Sequence, residues 1–393
     1  MKIMSINAGS SSLKFSLFNM DTKEVLLSGL FERIGIEGSC YTLEYGEYKI
    51  KNEALMETHL DAVKILMDKL LELKIVNSLE EIDGIGHRIV HGGAIYKESV
   101  VVTDKVLDDI IALSDLAPLH NPAHAMCIKA FREVLPNTPM VVVFDTAFHQ
   151  TIEKDRFLYP VPYNWYTDYQ VRKYGAHGTS HRYVAKKLQE ELGRDDLNII
   201  SCHLGNGGSI TAISCGKCVD TSMGFTPLAG TIMGTRCGDI DPYIPLYIEK
   251  KDGLSAHEVN EMMNKQSGML ALCGYSDNRD IEAGYLSGNK KCILATKTYV
   301  HALLKYIGAY IAVLGGVDAI VFTAGVGEHG VIIRQLVMEH LSYLGIKPDY
   351  ENNKKHATEI MISTPDSKVK VFVIPTDEEL VIARDTMRLA LHK

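Results

Sequence analysis

Two arginines in glycine-flanked settings and three glycine-rich loops carry most of the polar chemistry this sequence offers. Arg88 stands in Gly86-His87-Arg88-Ile89-Val90-His91-Gly92-Gly93, and Arg236 in Met233-Gly234-Thr235-Arg236-Cys237-Gly238-Asp239. Arginine presents a rigid fork of donors that matches a carboxylate or a phosphate. Glycines on both sides admit a ligand closely; the ordinary alternative is a surface or ion-paired arginine. The loops are Asn7-Ala8-Gly9-Ser10, Asn206-Gly207-Gly208-Ser209 and Gly325-Val326-Gly327-Glu328, each after an apolar run. Such residues dominate ordinary turns, but successive backbone N–H groups with serine hydroxyls also hold anions. One loop alone reads as a turn; two matched loops and a third favour phosphate. Lys14, just inside the strand after the first loop, brings a charge toward the same anion. Asp145 closes the apolar run Met140–Phe144, and a strand's C-terminal end faces the crevice where α/β sheets bind ligands. Glu378 follows Pro375-Thr376-Asp377, with Asp377 read as a helix cap.

Other chemistries are excluded or disfavoured. No GxxxxGK[ST] occurs, so a P-loop nucleotide site is not expected. His87/His91, His120/His124 and His177/His181 have i,i+4 spacing, but each pair is spoiled for zinc on a helix: by a β-branched strand, by Asn121-Pro122 and by Gly178. Cys215-Gly216-Lys217-Cys218 is a lone CxxC in a hairpin turn, without the second pair a zinc site needs. The 393 residues carry 41 Lys+Arg against 49 Asp+Glu, a net charge of −8 with no basic block, which argues against nucleic-acid binding. Eight irregularly spaced cysteines in so long a chain read as reduced thiols of an intracellular, cytoplasmic protein. The N-terminal MKIMSINAGSSS enters a strand without a signal-peptide core. Tyr306 to Phe322 is apolar with one charge, but Gly315-Gly316 inside it marks a helix end feeding a buried strand rather than a membrane span.

These residues need a scaffold of alternating strands and helices. Ile3–Ile6, Leu13–Phe18 and Val25–Leu30 read as a β-meander. Leu55–Leu73 has apolar residues at helical spacing. Ile82–Val90 and Met140–Phe144 are strands, and Pro122–Val134 is a helix with Asn121 as its cap. A second unit follows: helix Thr179–Leu192, strands Asn198–Cys202 and Ser209–Ser214 turning at Gly216-Lys217, and helices Ala256–Asn264 and Cys292–Leu314. Strand Ala319–Phe322, helix Ile332–Leu341, strand Val369–Ile374 and helix Glu378–Leu391 complete it. The mixture points to α/β layers, and about 100–200 residues per domain suggests two or three domains. Asn7–Ser10 and Asn206–Ser209 occupy equivalent places in two hairpins, the mark of an internal duplication.

The motifs MSINAGSSSLKFSLF (Met4–Phe18), GHRIVHGG (Gly86–Gly93), KYGAHGTSH (Lys173–His181), SCHLGNGGS (Ser201–Ser209), MGTRCGDIDP (Met233–Pro242), FTAGVGE (Phe322–Glu328) and PTDEELVIA (Pro375–Ala383) resemble the acetate kinases, in order and spacing, from end to end. The resemblance implies two duplicated actin-like, ribonuclease H-like α/β domains flanking an active-site cleft: 1–149, completed by the C-terminal helix 380–393, and 150–379 with most of the nucleotide site. It implies a cytoplasmic homodimer that uses ATP and Mg²⁺, with Mn²⁺ as a substitute. Asn7 and Glu378 match the metal positions and Lys14 a nucleotide-binding lysine. His203, Leu204, Gly205, Asn206 and Gly207 match the loop on the ATP phosphates. Asp277, Asn278, Arg279 and Gly325, Val326, Gly327, Glu328, His329 match the segments around adenosine. Arg88 matches the carboxylate-binding arginine, with Val90, Leu119 and Pro227 around the acyl methyl. Asp145 matches a proton donor/acceptor, and His177 and Arg236 the transition-state stabilisers.

Four positions depart from the family pattern: Ala176 for Phe, Ala229 for Glu, Cys237 for Ser and His329 for Asn. Ala176 implies a roomier acyl pocket, hence propionate or butyrate as alternative acceptors. The implied reaction is ATP + acetate ⇌ ADP + acetyl phosphate. A carboxyl group titrates near 4–5, so acetate attacks already ionised and needs no base. Asp145 therefore reads better as an orienter than as a base, and direct in-line transfer as better than a phospho-enzyme. A non-transferase, actin-like ATPase module is the alternative from another class, but it would not need paired arginines.

Overall fold

The computed structural model describes residues 1–118, 120–356 and 358–391. The chain divides into two compact units, Met1–Ala147 with Asp377–Lys393, and Phe148–Thr376.

The first unit holds strands β1 (Lys2–Ala8), β2 (Ser12–Asn19), β3 (Glu24–Glu32), β4 (Cys40–Tyr45), β5 (Tyr48–Glu53), β6 (Ile82–Ile89), β7 (Val100–Val101) and β8 (Met140–Phe144), in the order β5-β4-β3-β2-β1-β6-β8-β7. The expected meander is there and runs on through β4 and β5, whose polar sequence hid them. β1 pairs antiparallel with β2 but parallel with β6, and β6 parallel with β8. All of β8 is buried, as a strand covered on both faces must be.

Helix His59–Glu72 starts later than its apolar pattern, at a Thr58/Asp61 capping box that satisfies its first N–H groups. His59 Nε2 bonds the carbonyl of Gly9 at 2.8 Å, tying this helix to the first glycine loop. Helix Asn121–Val134 corrects the capping assignment. Asn121 is its first residue, fully buried, and its side chain donates 3.0 Å to the His91 carbonyl. It staples a loop instead of capping a helix. Helix Glu378–Leu391 packs on the same sheet through Ile382 and Thr386. A side chain on Gly86 would collide with both, which is why this strand residue has none.

The second unit holds β9 (Asn198–Leu204), β10 (Gly208–Ser214), β11 (Lys217–Thr221), β12 (Ala319–Thr323), β13 (Ile360–Met361) and β14 (Lys370–Val373), in the order β11-β10-β9-β12-β14-β13. Its pairing repeats the first unit: an antiparallel meander whose first strand, β9, joins parallel β12, which joins parallel β14. The two asparagine–glycine loops therefore occupy the same first hairpin, β1–β2 and β9–β10. Helix Lys290–Leu314 ends at Gly315, φ 70°, a left-handed cap open to glycine, and β12 follows. No helix among the described residues is long and apolar enough to cross a membrane. Cys215 and Gly216 turn the β10–β11 hairpin, while Cys218 lies buried in β11.

Candidate active site

In the first unit the site is an ion pair at the ends of two parallel strands. Arg88, near the end of β6, donates from Nε to both oxygens of Asp145, just past β8, at 3.1 Å each, and from Nη2 to Oδ2. Its Nη1 donates 3.2 Å to Asn7 Oδ1 at the end of β1. Asp145 is 1% exposed and the Arg88 side chain 21%. Burial works against the Arg88 charge, but Asp145 and Glu378 outweigh it and hold its pKa above the ordinary value. Glu378 shifts up to about 7, through burial first and the Asp145 charge second, with Arg88 opposing. Two carboxylates thus share one guanidinium. Lys14, within β2, is paired at 2.6 Å with Glu379. Asp377 caps the last helix by accepting from Leu380 N at 2.9 Å.

Behind Arg88 lie three buried histidines. His87, His91 and His124 are pushed down to about 3, 4 and 3 by burial, His124 also by the Arg88 charge. Val90 is half-buried just past β6. Leu119 lies outside the described residues.

In the second unit the site centres on His177, Arg236 and the glycine loop between β9 and β10. His177 precedes helix Gly178–Leu192 with φ 58°, a left-handed conformation costly to a non-glycine residue. Its ring stacks on His203 of β9, centroids 4.0 Å apart. Both side chains reach the loop: a methyl group built on Gly207 would lie 3.4 Å from Arg236 Nη1 and 3.6 Å from His177 Nε2, ordinary contact distances. The loop turns on Gly205 N donating to Gly207 O at 2.9 Å, and Gly234 N donates to Asn206 O at 3.3 Å. Arg236 donates from Nη1 to the Pro227 carbonyl at 3.3 Å, and Met233 Sδ lies 3.8 Å away. Among the described residues no carboxylate pairs with Arg236, whose pKa burial lowers. Pro227 itself is exposed.

A small open pocket in this unit is lined by Gly205, Gly234, Ser276, Asn278, Val326 and Ile333, bringing together three predicted nucleotide segments. Asp277 caps helix Asn278–Leu286 and pairs with Arg279. The Gly325–Glu328 segment is not the expected loop. It forms a short helix, Ala324–His329, directly after β12. Arg334 explains its placement. This residue is fully buried and donates 2.8 Å to the Gly327 carbonyl and 2.8 Å to Asn353 Oδ1. Burial lowers its pKa to about 10. Glu328 Oε1 accepts from Thr376 N at 3.4 Å, and His329 stacks on His356.

Ala176 is buried in a cluster with Met223 and Met233, so methionines pack against the small residue there. Ala229 is half-buried, and Cys237 Sγ donates to Gly238 O at 3.2 Å, as a serine would. Among the described residues no group of three or more His, Cys, Asp or Glu side chains is arranged to hold a metal. What motif reading missed is a set of buried partners behind His177: Ser209, His181 and Ser201. The His177/His181 spacing was their one visible signal.

The acetokinase family model matches residues 2–384. The acetate kinase of Anoxybacillus flavithermus is 54% identical over 392 residues, 99% of either chain. A crystal structure of Porphyromonas gingivalis acetate kinase matches with TM-score 0.96 at 42% identity, covering 99% of each chain. That of a propionate kinase from Francisella tularensis gives 0.93 at 41%, again over 99% of each. With the motif order and the repeated sheet pairing already in hand, this whole-length similarity means that the chain belongs to the acetokinase family, ATP-dependent phosphotransferases.

Proposed function

We propose that the chain transfers the γ-phosphoryl group of ATP reversibly to acetate, giving ADP and acetyl phosphate by direct in-line displacement. The observation that carries this is the convergence of Arg236 and His177 on Gly207 of a phosphate-type loop. Transfer through a loose transition state asks chiefly for positioning and for charge on the equatorial oxygens. Arg236, with no carboxylate partner, has its charge to give, and His177 presents its Nε2 edge beside it.

Arg88 is the acetate-binding group in this reading, and Val90, Leu119 and Pro227 are assigned to acyl specificity on the family resemblance alone. Asp145 grips the Nε–Nη2 edge, so acetate takes the Nη1–Nη2 edge, and Asp145 acts as the orienter of Arg88 rather than as a base. Lys14, His203 to Gly207, Asp277 to Arg279 and Gly325 to His329 bind the nucleotide.

Asn7 and Glu378 fit a Mg²⁺ ion. Both offer the hard oxygen donors that Mg²⁺ prefers, and Glu378 is a buried carboxyl that also feels the charge of Asp145, which a cation would offset. When bound, Mg²⁺ supplies charge neutralisation for the phosphates. We assign the two compact units to the two actin-like domains. We also assign the protein to the cytoplasm, consistent with its free cysteines, and to a homodimer. Helix Tyr243–Asp252, which buries no residue of its own and exposes Tyr243, Ile244, Leu246 and Tyr247, supports the dimer.

A hydroxamate trap for acyl phosphate, run with ATP and acetate, propionate or butyrate, tests the function. Trapped acetyl hydroxamate is expected at the highest kcat/KM of the three. ATP turnover without any acyl phosphate would reassign the chain to an ATPase module, and preference for a longer acid would reassign the acceptor.

A further inference from the structure

His177 is held from behind by a chain of neutral groups. Its Nδ1 lies 2.9 Å from Ser209 Oγ. The same Ser209 oxygen lies 2.8 Å from His181 Nε2, and His181 Nδ1 lies 2.8 Å from Ser201 Oγ. Ser209, His181 and Ser201 are all fully buried. They sit on three different elements: Ser209 on β10, Ser201 on β9 and His181 on the first turns of helix Gly178–Leu192.

We propose that Ser209 and His181 are positioning residues for His177, fixing its ring so that Nε2 faces the phosphoryl group. The inference rests on the reading of His177 as a stabiliser of phosphoryl transfer, and goes beyond it to the groups that make His177 competent.

The chemistry follows from what each group can donate and accept. A hydroxyl has one hydrogen and can also accept; a neutral imidazole has one N–H and one acceptor nitrogen. To face an anion, His177 must carry hydrogen on Nε2. With a neutral ring its Nδ1 is then an acceptor, so Ser209 donates to it and accepts from His181 Nε2–H. His181 Nδ1 in turn accepts from Ser201. If His177 is protonated, its Nδ1 becomes a donor and every bond in the chain reverses: Ser209 accepts from His177 and donates to His181 Nε2, and His181 Nδ1–H donates to Ser201. Both arrangements keep His177 Nδ1, Ser209 Oγ and both His181 nitrogens paired, with His181 in its other tautomer in the second. Ser209 can therefore hold the ring through either charge state. The φ of 58° at His177 fits the same account, because a strained backbone persists only where surrounding contacts over-determine it.

The test is a double-mutant cycle on Ser209→Ala and His177→Ala, with kcat, both KM values and Tm measured for each. Ser209→Ala should lower kcat roughly ten- to hundredfold, the scale of a small misplacement at a reacting centre, with KM for acetate and ATP within about twofold. The double variant should be no slower than His177→Ala, because Ser209 acts only through that ring. The ring ¹⁵N shifts of His177 should change in Ser209→Ala. If His177→Ala itself keeps normal kcat, the underlying reading of His177 fails. If His177→Ala is slow while Ser209→Ala is normal, or the two losses multiply, the positioning role is overturned. Should Ser209→Ala not fold, Ser209→Cys keeps a weak donor and acceptor of nearly the same shape, and the same cycle decides.

Discussion

The two units put an arginine to opposite uses. Arg88 is neutralised in place: Asp145 holds one edge of its fork and Asn7 a further N–H. Arg236 has a carbonyl and a thioether for neighbours, and no carboxylate among the described residues. The difference matches what each would meet. On the proposed roles, a carboxylate substrate must be bound and released, and an arginine already shared with Asp145 would grip it without trapping it. A phosphoryl group in flight exists only briefly, so an uncompensated charge is most useful there, where it lowers the barrier without tightening the ground state. Pairing thus predicts which arginine acts on binding and which on turnover.

The sharpest way to break this contrast is to remove the uncompensated charge. Arg236→Ala should cut kcat on the order of a hundredfold or more, the scale for one donor aimed at developing charge, and leave KM for acetate nearly unchanged. Steady-state kinetics in both directions check it. A normal kcat with a raised KM would mean that Arg236 binds a ground-state group.

The paired arginine should behave otherwise. Arg88→Ala should raise KM for acetate at least tenfold, about 1.4 kcal/mol or more, since hydrogen bonds to a charged group are worth about 1.5–3 kcal/mol. Arg88→Lys should restore little, because an ammonium cannot serve Asp145 and acetate together. Asp145→Ala should also destabilise the first unit by about 3–5 kcal/mol, the cost of leaving one partner of a buried pair uncompensated. Urea unfolding measures that loss. Full rescue by lysine would show that geometry at Arg88 does not matter.

Much of this was legible in residue order. The first meander, β8, the last helix and the duplicated hairpin follow from alternation, apolar runs and glycine placement, all local signals. What was not legible depends on contacts far apart in the chain. Nothing near Gly325 announces that Arg334 and Asn353 would fold it into a helix. Ser209 sits inside a recognisable motif, yet its role depends on His181, 28 residues away. Asn121 looked like a cap because an asparagine before a proline usually is one; a loop needing a buried donor won instead.

Buried histidines sharpen the comparison through pH. In the first unit neither ring nitrogen of His124 has a hydrogen-bond partner among the described residues, whereas both of His181 in the second unit meet serines. An unfolded histidine takes up its proton near 6.5, but His87 and His124 do so in the fold only near 3. Between those values the unfolded chain binds more protons, so stability is lost as pH falls from about 6.5 toward 3. At pH 5 this is about 2 kcal/mol per histidine. His124→Met should remove one such titration and narrow the difference in Tm between pH 8 and pH 5 by roughly 4–8 °C for a unit of this size. Scanning calorimetry at the two pH values is the measurement, and an unchanged difference would show that His124 is protonated alike in both states.

The smallest effect is expected at Ala176. Its side chain is small where the motif pattern that this chain resembles has an aromatic ring, which by itself suggests a wider acyl pocket. In the fold, however, Ala176 is buried against Met223 and Met233, and methionine readily fills irregular space. Ala176→Phe therefore adds a ring to an occupied cluster. Overpacking of this kind costs about 1–3 kcal/mol, and the adaptable methionines should hold it near the lower end. A methylene is worth about 0.8 kcal/mol when buried, so complete loss or gain of propionate discrimination by this route would change the acetate/propionate ratio of kcat/KM about fourfold. With the cluster already filled, the ratio should move by less than that, while Tm falls. A fourfold or larger gain in acetate preference would mean that Ala176 lines the acyl pocket directly. A rise in kcat for every acid alike would mean that the added ring acts through its neighbour, His177.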